Sequence, residues 1–180
     1  MGNRVPTNTT SVFGVPVPSA DPVFIAVVRF HILVGIACVA AGEGGSVTLS
    51  LGGKSDGMPF ACTARVIRLT DGRFTMTGPM GAGNPGNLGP CALVDIDGVR
   101  VMVVSRKVQA LDQAILRHVG IEPDECPIIV LKSSVHFRAD FGPIAQRIIV
   151  GVAPGPVVAD PAILNFRYVR PDVRRRPRAA

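Results

Sequence analysis

The sequence predicts an α+β fold, a single domain with a mixed, largely antiparallel sheet and two or three short helices. Three observations predict it. Residues 46–51 alternate Val47, Leu49 and Leu51 with polar positions, the period of a half-buried strand. Residues 91–96 and 99–104 are apolar runs joined by Asp97-Gly98, the dipeptide that a two-residue hairpin turn favours. Residues 111–118 have the pattern of a short amphipathic helix, and Gly120 stops it.

Length and composition agree with one domain. The chain has 180 residues and is 47% hydrophobic, which is normal for a globular core. It has no Trp and one Tyr, so the core must be built from Val, Ile, Leu and Ala. Twenty Gly and sixteen Pro imply many turns and short elements. No internal repeat with a period of roughly 20–50 residues is present.

The elements follow in order. Residues 1–22 are rich in Ser, Thr, Asn and Pro and read as disordered or loosely attached. Residues 23–41 are the most apolar stretch, long enough for a membrane span or a secretory segment. Arg29 and His31 in its middle oppose that and favour a buried strand or helix. A glycine turn at 42–45 leads into the 46–51 strand. Gly52-Gly53-Lys54 lacks the upstream glycine and following hydroxyl of a phosphate loop and reads as a turn. Residues 60–69 form a second strand, Asp71-Gly72 its turn, and residues 74–76 a third. Residues 78–90 hold five Gly and three Pro, and no element is expected there. Asp95 and Asp97 serve the hairpin turn rather than acid–base chemistry. Residues 121–124 turn into a short buried strand at 128–131. A last strand is expected at 147–152.

Charge is unevenly placed. Residues 166–180 contain six Arg against Asp172, a net of +5; the other 165 residues hold 13 bases and 12 acids, a net of +1. The folded part therefore offers no broad basic face, and no nucleic-acid partner is expected. The arginine tail reads as a solvated end. The four cysteines, Cys38, Cys62, Cys91 and Cys126, form no C-x-x-C pair, so neither a zinc site nor a disulfide framework is indicated. Reduced, mostly buried thiols fit a cytoplasmic location.

Catalytic signatures are absent. There is no H-E-x-x-H, no EF-hand loop and no G-x-S-x-G. The three histidines, His31, His118 and His136, are 87 and 18 positions apart, too scattered to assemble a metal site. One corner carries chemistry. The 128–131 run ends in Lys132-Ser133-Ser134-Val135-His136-Phe137-Arg138. A strand running into a helix capped by Ser133 or Ser134 would present free N–H groups and a positive dipole end to an anion or a polarised carbonyl. The alternative is a plain cap, a solvated Lys132 and a packed His136.

Four stretches taken together are similar to a known family. They are Ser46-Val47-Thr48-Leu49-Ser50-Leu51-Gly52-Gly53-Lys54; Leu69-Thr70-Asp71-Gly72-Arg73-Phe74 with Gly78-Pro79-Met80; Ser105 to Asp112 with Gly120-Ile121; and Lys132 to Arg138. Their order and spacing resemble the C-terminal domain of the MlrC (microcystinase C) family of zinc metallopeptidases. The resemblance implies a two-domain hydrolase, linked by its name to microcystin degradation, whose larger N-terminal domain carries the zinc. It implies that Lys132, Ser133, Ser134 and His136 lie beside the active-site cleft, and these are the expected substrate-binding residues. Arg106, which follows the hairpin strand, is the expected further cation. No cofactor is expected in this chain itself.

The expected organisation is an atypical or disordered segment at 1–37, the MlrC-like domain at 38–165 and the arginine-rich tail at 166–180. The expected role is the substrate-side half of an MlrC-like metallohydrolase, inactive without a metal-binding domain supplied as a separate partner. A non-catalytic module for a small anionic or peptide ligand is the alternative from another class. A tether through residues 23–41 is the third reading, and a membrane partner is the least expected.

Overall fold

The structure is a computed structural model describing residues 10–12, 15–17, 26–29, 32–52, 58–133, 135–151 and 160–174. Its centre is a five-stranded sheet in the order β3-β9-β8-β5-β4. The strands are β3 (Ala26–Arg29), β4 (Ser46–Leu51), β5 (Phe60–Thr70), β8 (Cys91–Ile96) and β9 (Val99–Val104). All neighbours are antiparallel except β3, which runs parallel to β9 with Ala26 opposite Val101. Two small ribbons stand apart: β1 (Thr10–Val12) with β2 (Val15–Val17), and β6 (Arg73–Thr75) with β7 (Pro85–Asn87). The mixed, largely antiparallel sheet and three short α-helices are those the sequence predicts.

Burial explains the strand patterns. The central strands β8 and β9 are covered on both faces, so they read as near-continuous apolar runs. Ala92, Val94, Val101 and Val103 face a cluster under Cys38 of α1 (Ile32–Ala41), together with Val47, Leu49, Ala64 and Val66. Cys91, Leu93, Met102 and Val104 face the opposite cluster, with Leu88, Ala110, Ile115, Leu116, Val119, Ile121 and Phe141. The outer strand β4 is covered on one face only and alternates. The hairpin between β8 and β9 turns where expected: Asp97 and Gly98 have φ of 51° and 85°, and Asp95 accepts the Gly98 N–H at 3.2 Å.

The apolar stretch at 23–41 is divided. Part of it is the edge strand β3 and part is α1, ten residues or about 15 Å long. No helix among the described residues is long and apolar enough to cross a membrane.

Several local expectations fail for physical reasons. Residues 128–131 form no strand; Val130 makes an isolated bridge, while Ile129 and Leu131 pack as a cover on the core around Ile115 and Leu116. Their apolar character serves that core rather than a ladder. The expected helix at 111–118 shrinks to α2 (Ala114–Arg117), because the Asp112 carboxylate takes the Ala114 N–H at 2.8 Å and so stands outside the helix. The glycine- and proline-rich stretch at 78–90 does contain an element. Within it, β7 pairs with β6, and Gly86 leaves room for the Phe74 ring, whose Cζ would lie 2.3 Å from an added Cβ. Residues 147–151 have no regular structure, and Val152 lies outside the described residues.

Candidate functional site

After β9 the chain leaves the sheet at Ser105, whose hydroxyl donates to the Leu88 carbonyl at 3.3 Å. It then crosses the α2-side core through buried Ala110 and reaches Asp112. Asp112 has 0% exposure, which for a carboxylate requires full hydrogen bonding. That requirement is met. Oδ2 accepts the Thr77 and Gly78 N–H groups at 3.0 and 2.8 Å, Oδ1 accepts the Ala114 N–H, and the Thr77 hydroxyl lies 3.5 Å from Oδ1. One side chain thus ties the 77–78 turn to the start of α2.

A second carboxylate joins a third segment. Asp140, in the one-turn helix α3 (Arg138–Phe141), accepts the Gln113 N–H at 2.6 Å through Oδ2. The Gln113 amide donates to the Asp140 carbonyl at 2.7 Å. Gly78 sits between the carboxylates: an added Cβ would fall 2.7 Å from Asp140 Cγ and Oδ2 and 3.2 Å from Asp112 Oδ2.

Four residues earlier on both strands of this contact, His136 Nδ1 meets Gln109 Oε1 at 2.8 Å. The His136 ring is otherwise exposed, with Nε2 turned away from this contact as the other ring nitrogen. Residues 109–113 therefore grip residues 136–140 at two points and set the direction of the His136 ring.

The other expected site residues are placed unevenly. Lys132 is exposed. The Ser133 hydroxyl is buried and has no hydrogen-bond partner among the described residues. Ser134 lies outside the described residues. Neither serine-capped helix nor dipole site is present as expected: α3 begins at Arg138, Phe137 precedes it without a side-chain cap, and a single turn offers little dipole. Arg138 lies over the Phe137 ring at 5.3 Å. Arg106 is exposed, with its N–H on the Leu88 carbonyl and its stem against Gly89; among the described residues no hydrogen bond or ion pair joins it to residues 132–138.

Asp112, Asp140, Gln109 and Gln113 were not singled out from the sequence as site residues. For Asp112 a signal was present. An Asp two positions before an apolar helical run is an N-cap pattern, and it marks the residue as outside the helix. For the two glutamines no local signal exists.

The residues do not fit a metal. No three His, Cys, Asp or Glu among the described residues converge with ligand geometry. Asp112 has its oxygens committed to N–H donors. His118 is committed too: Nδ1 donates to the Ile115 carbonyl, Nε2 faces the Cys91 thiol at 3.6 Å, and its ring stacks on Phe74. Burial pushes the His118 pKa down and the Cys91 thiol up, so both are held neutral. All four cysteines are free thiols.

Comparison with known proteins bears on the whole domain. The family described as MlrC C-terminus matches residues 22–168. The match begins ahead of the boundary expected at residue 38 and takes in β3 and α1. The crystal structure of a candidate metallopeptidase from Mesorhizobium sp. BNC1 superposes with a TM-score of 0.67 and 25% identity. It covers 76% of this chain, while this chain spans 28% of that protein. Among curated proteins, none matches.

Proposed function

We propose, from the premise that this chain belongs to the MlrC C-terminal family, that it forms the substrate-side wall of a zinc metallopeptidase-type hydrolase. The observation that carries this is the family match over residues 22–168, whose span contains the corner built from residues 77–78, 109–113 and 132–140. A second domain, in the same chain or another, would hold the zinc, which when bound polarises a carbonyl and activates water. In this reading the present chain binds and orients. His136, aimed by Gln109, offers Nε2 to a substrate N–H or a transferable proton. Lys132 and Arg106 supply positive charge for a substrate carboxylate. A peptide or small amide is the substrate class, and the location is cytoplasmic.

The test is direct. The purified chain alone is expected to leave peptides uncleaved and to lose zinc on dialysis. Combined with a metal-bearing domain it should gain hydrolysis, and His136→Ala should reduce that activity while leaving the fold intact. Stoichiometric zinc in the dialysed chain, or hydrolysis by the chain alone, would refute the division of labour.

A further inference from the structure

We propose that residues 166–174 bind single-stranded nucleic acid, with Arg167, Arg170 and Arg174 on phosphates and Tyr168 stacked on a base. This binding activity is independent of the hydrolase proposed above. Its first support is charge. Residues 166–180 carry a net +5, and the other 165 residues a net +1. All six bases of the stretch are arginine. A guanidinium takes phosphate oxygens in pairs and lies flat on a base; a lysine ammonium does neither. Arg175, Arg176 and Arg178 lie outside the described residues and count here by charge alone.

The second support is structural. Residues 163–174 are all exposed, and the Tyr168 ring, between Arg167 and Arg170, is 98% exposed. Backbone hydrogen bonds in the stretch are local: the Phe166 N–H donates to the Leu164 carbonyl, and the Val173 N–H to the Arg170 carbonyl. Arg170 meets Asp172 at 3.5 Å, but both side chains stay in solvent, so the pair holds the guanidinium weakly. Among the described residues no ion pair engages Arg167 or Arg174. The family match ends at residue 168, so Arg170, Arg174 and the arginines after them lie beyond the recognised domain. Their charge serves neither its core nor its sheet.

The choice among polyanions follows from the backbone and the aromatics. A peptide that lies on a lipid surface sorts its basic and apolar side chains onto opposite faces of a helix. Residues 164–174 form no helix, and Pro171 interrupts them. Arginines interleaved with an exposed tyrosine along irregular chain instead match the way single strands are held, by phosphate contacts and base stacking. A duplex keeps its bases stacked on each other and offers Tyr168 no face, so an unpaired strand is the better fit.

The experiment titrates the full chain into a labelled oligouridylate of about 15 nucleotides and follows fluorescence anisotropy across a salt series. At about 0.15 M salt the expected Kd is on the order of 1–100 μM. Five net positive charges set the slope of log K against log salt near about −3.5. The triple variant Arg167→Gln, Arg170→Gln, Arg174→Gln should make that slope shallower by about 2. Tyr168→Ala should weaken binding roughly fivefold or more and leave the slope unchanged, which separates stacking from charge. Both variants should melt with the parent chain, because the side chains they alter are exposed. No binding at about 0.15 M salt, a triple variant with the parent slope, or a Tyr168→Ala chain that binds as tightly overturns the proposal. So does a duplex that binds as tightly as the single strand. Binding to phosphatidylserine vesicles that the oligonucleotide cannot displace would assign the stretch to a membrane surface and overturn it too.

Discussion

Replacing Asp112 by Ala removes the acceptor for three backbone N–H groups at once: Thr77, Gly78 and Ala114. Gly78 N–H is buried, and Asp112 has 0% exposure, so water reaches the vacated site poorly. An orphaned buried donor costs about 1–3 kcal/mol, and loss of an N-cap typically about 1 kcal/mol. Partial relaxation keeps the effects from adding fully, so the expected destabilisation is about 3–5 kcal/mol, high for one substitution. For a chain of this size that lowers Tm by roughly 6–20 °C. Asp112→Asn keeps one carbonyl oxygen and should lose about 2 kcal/mol. Urea and thermal unfolding measure both variants. Amide exchange locates the effect, which should appear at Thr77, Gly78 and Ala114 before it appears in β8 or β9. A loss below about 1 kcal/mol for Asp112→Ala, or a larger loss with unchanged exchange at those amides, would refute the reasoning.

Three further outcomes are expected. Gly78→Ala places a methyl 2.7 Å from Asp140 Cγ, whose carboxylate is held by Gln113, and should cost about 1–3 kcal/mol by the same unfolding assays. His136→Ala should change stability by less than about 0.5 kcal/mol, since the exposed ring makes one hydrogen bond, to exposed Gln109. For His118, burial lowers the pKa below the usual 6.5 in the fold, so below about pH 6.5 the unfolded chain takes up a proton that the folded chain resists. Stability from this group is complete above that pH and falls as the pH drops toward the lowered folded value; His118→Phe should flatten the pH dependence of Tm over that window.

The sheet was legible where pattern and turn chemistry agree. β4 alternates because only one of its faces is covered, and the β8–β9 hairpin is announced by two residues that accept positive φ. Local pattern failed where apolar residues serve as cover instead of ladder. Ile129 and Leu131 have strand-like composition, yet the sheet is already flanked by β3 and β4, so they contribute burial and no pairing. The reverse error occurred at 85–87. Pro85-Gly86-Asn87 looks unfit for a strand, but β6 supplies Phe74, and the missing Cβ at Gly86 is what lets that ring lie across the ribbon and reach His118.

The corner shows why a motif can be read without its geometry. Lys132 to Arg138 is conspicuous in sequence for its hydroxyls and charges, and those invited a capped helix and a dipole. What holds the segment instead lies 27 residues away, in Gln109 and Gln113, at matched spacings of four. Nothing local to either segment reports that match, because hydrogen bonds between distant loops leave no period in the chain. The consequence for chemistry is definite. A dipole-based anion site would depend on free backbone N–H groups at residues 134–136. The observed arrangement depends on a side-chain amide that holds one imidazole in place. Substituting Gln109 should therefore disturb proton transfer or substrate positioning at His136 without removing any positive charge, a separation that replacing Lys132 could not achieve.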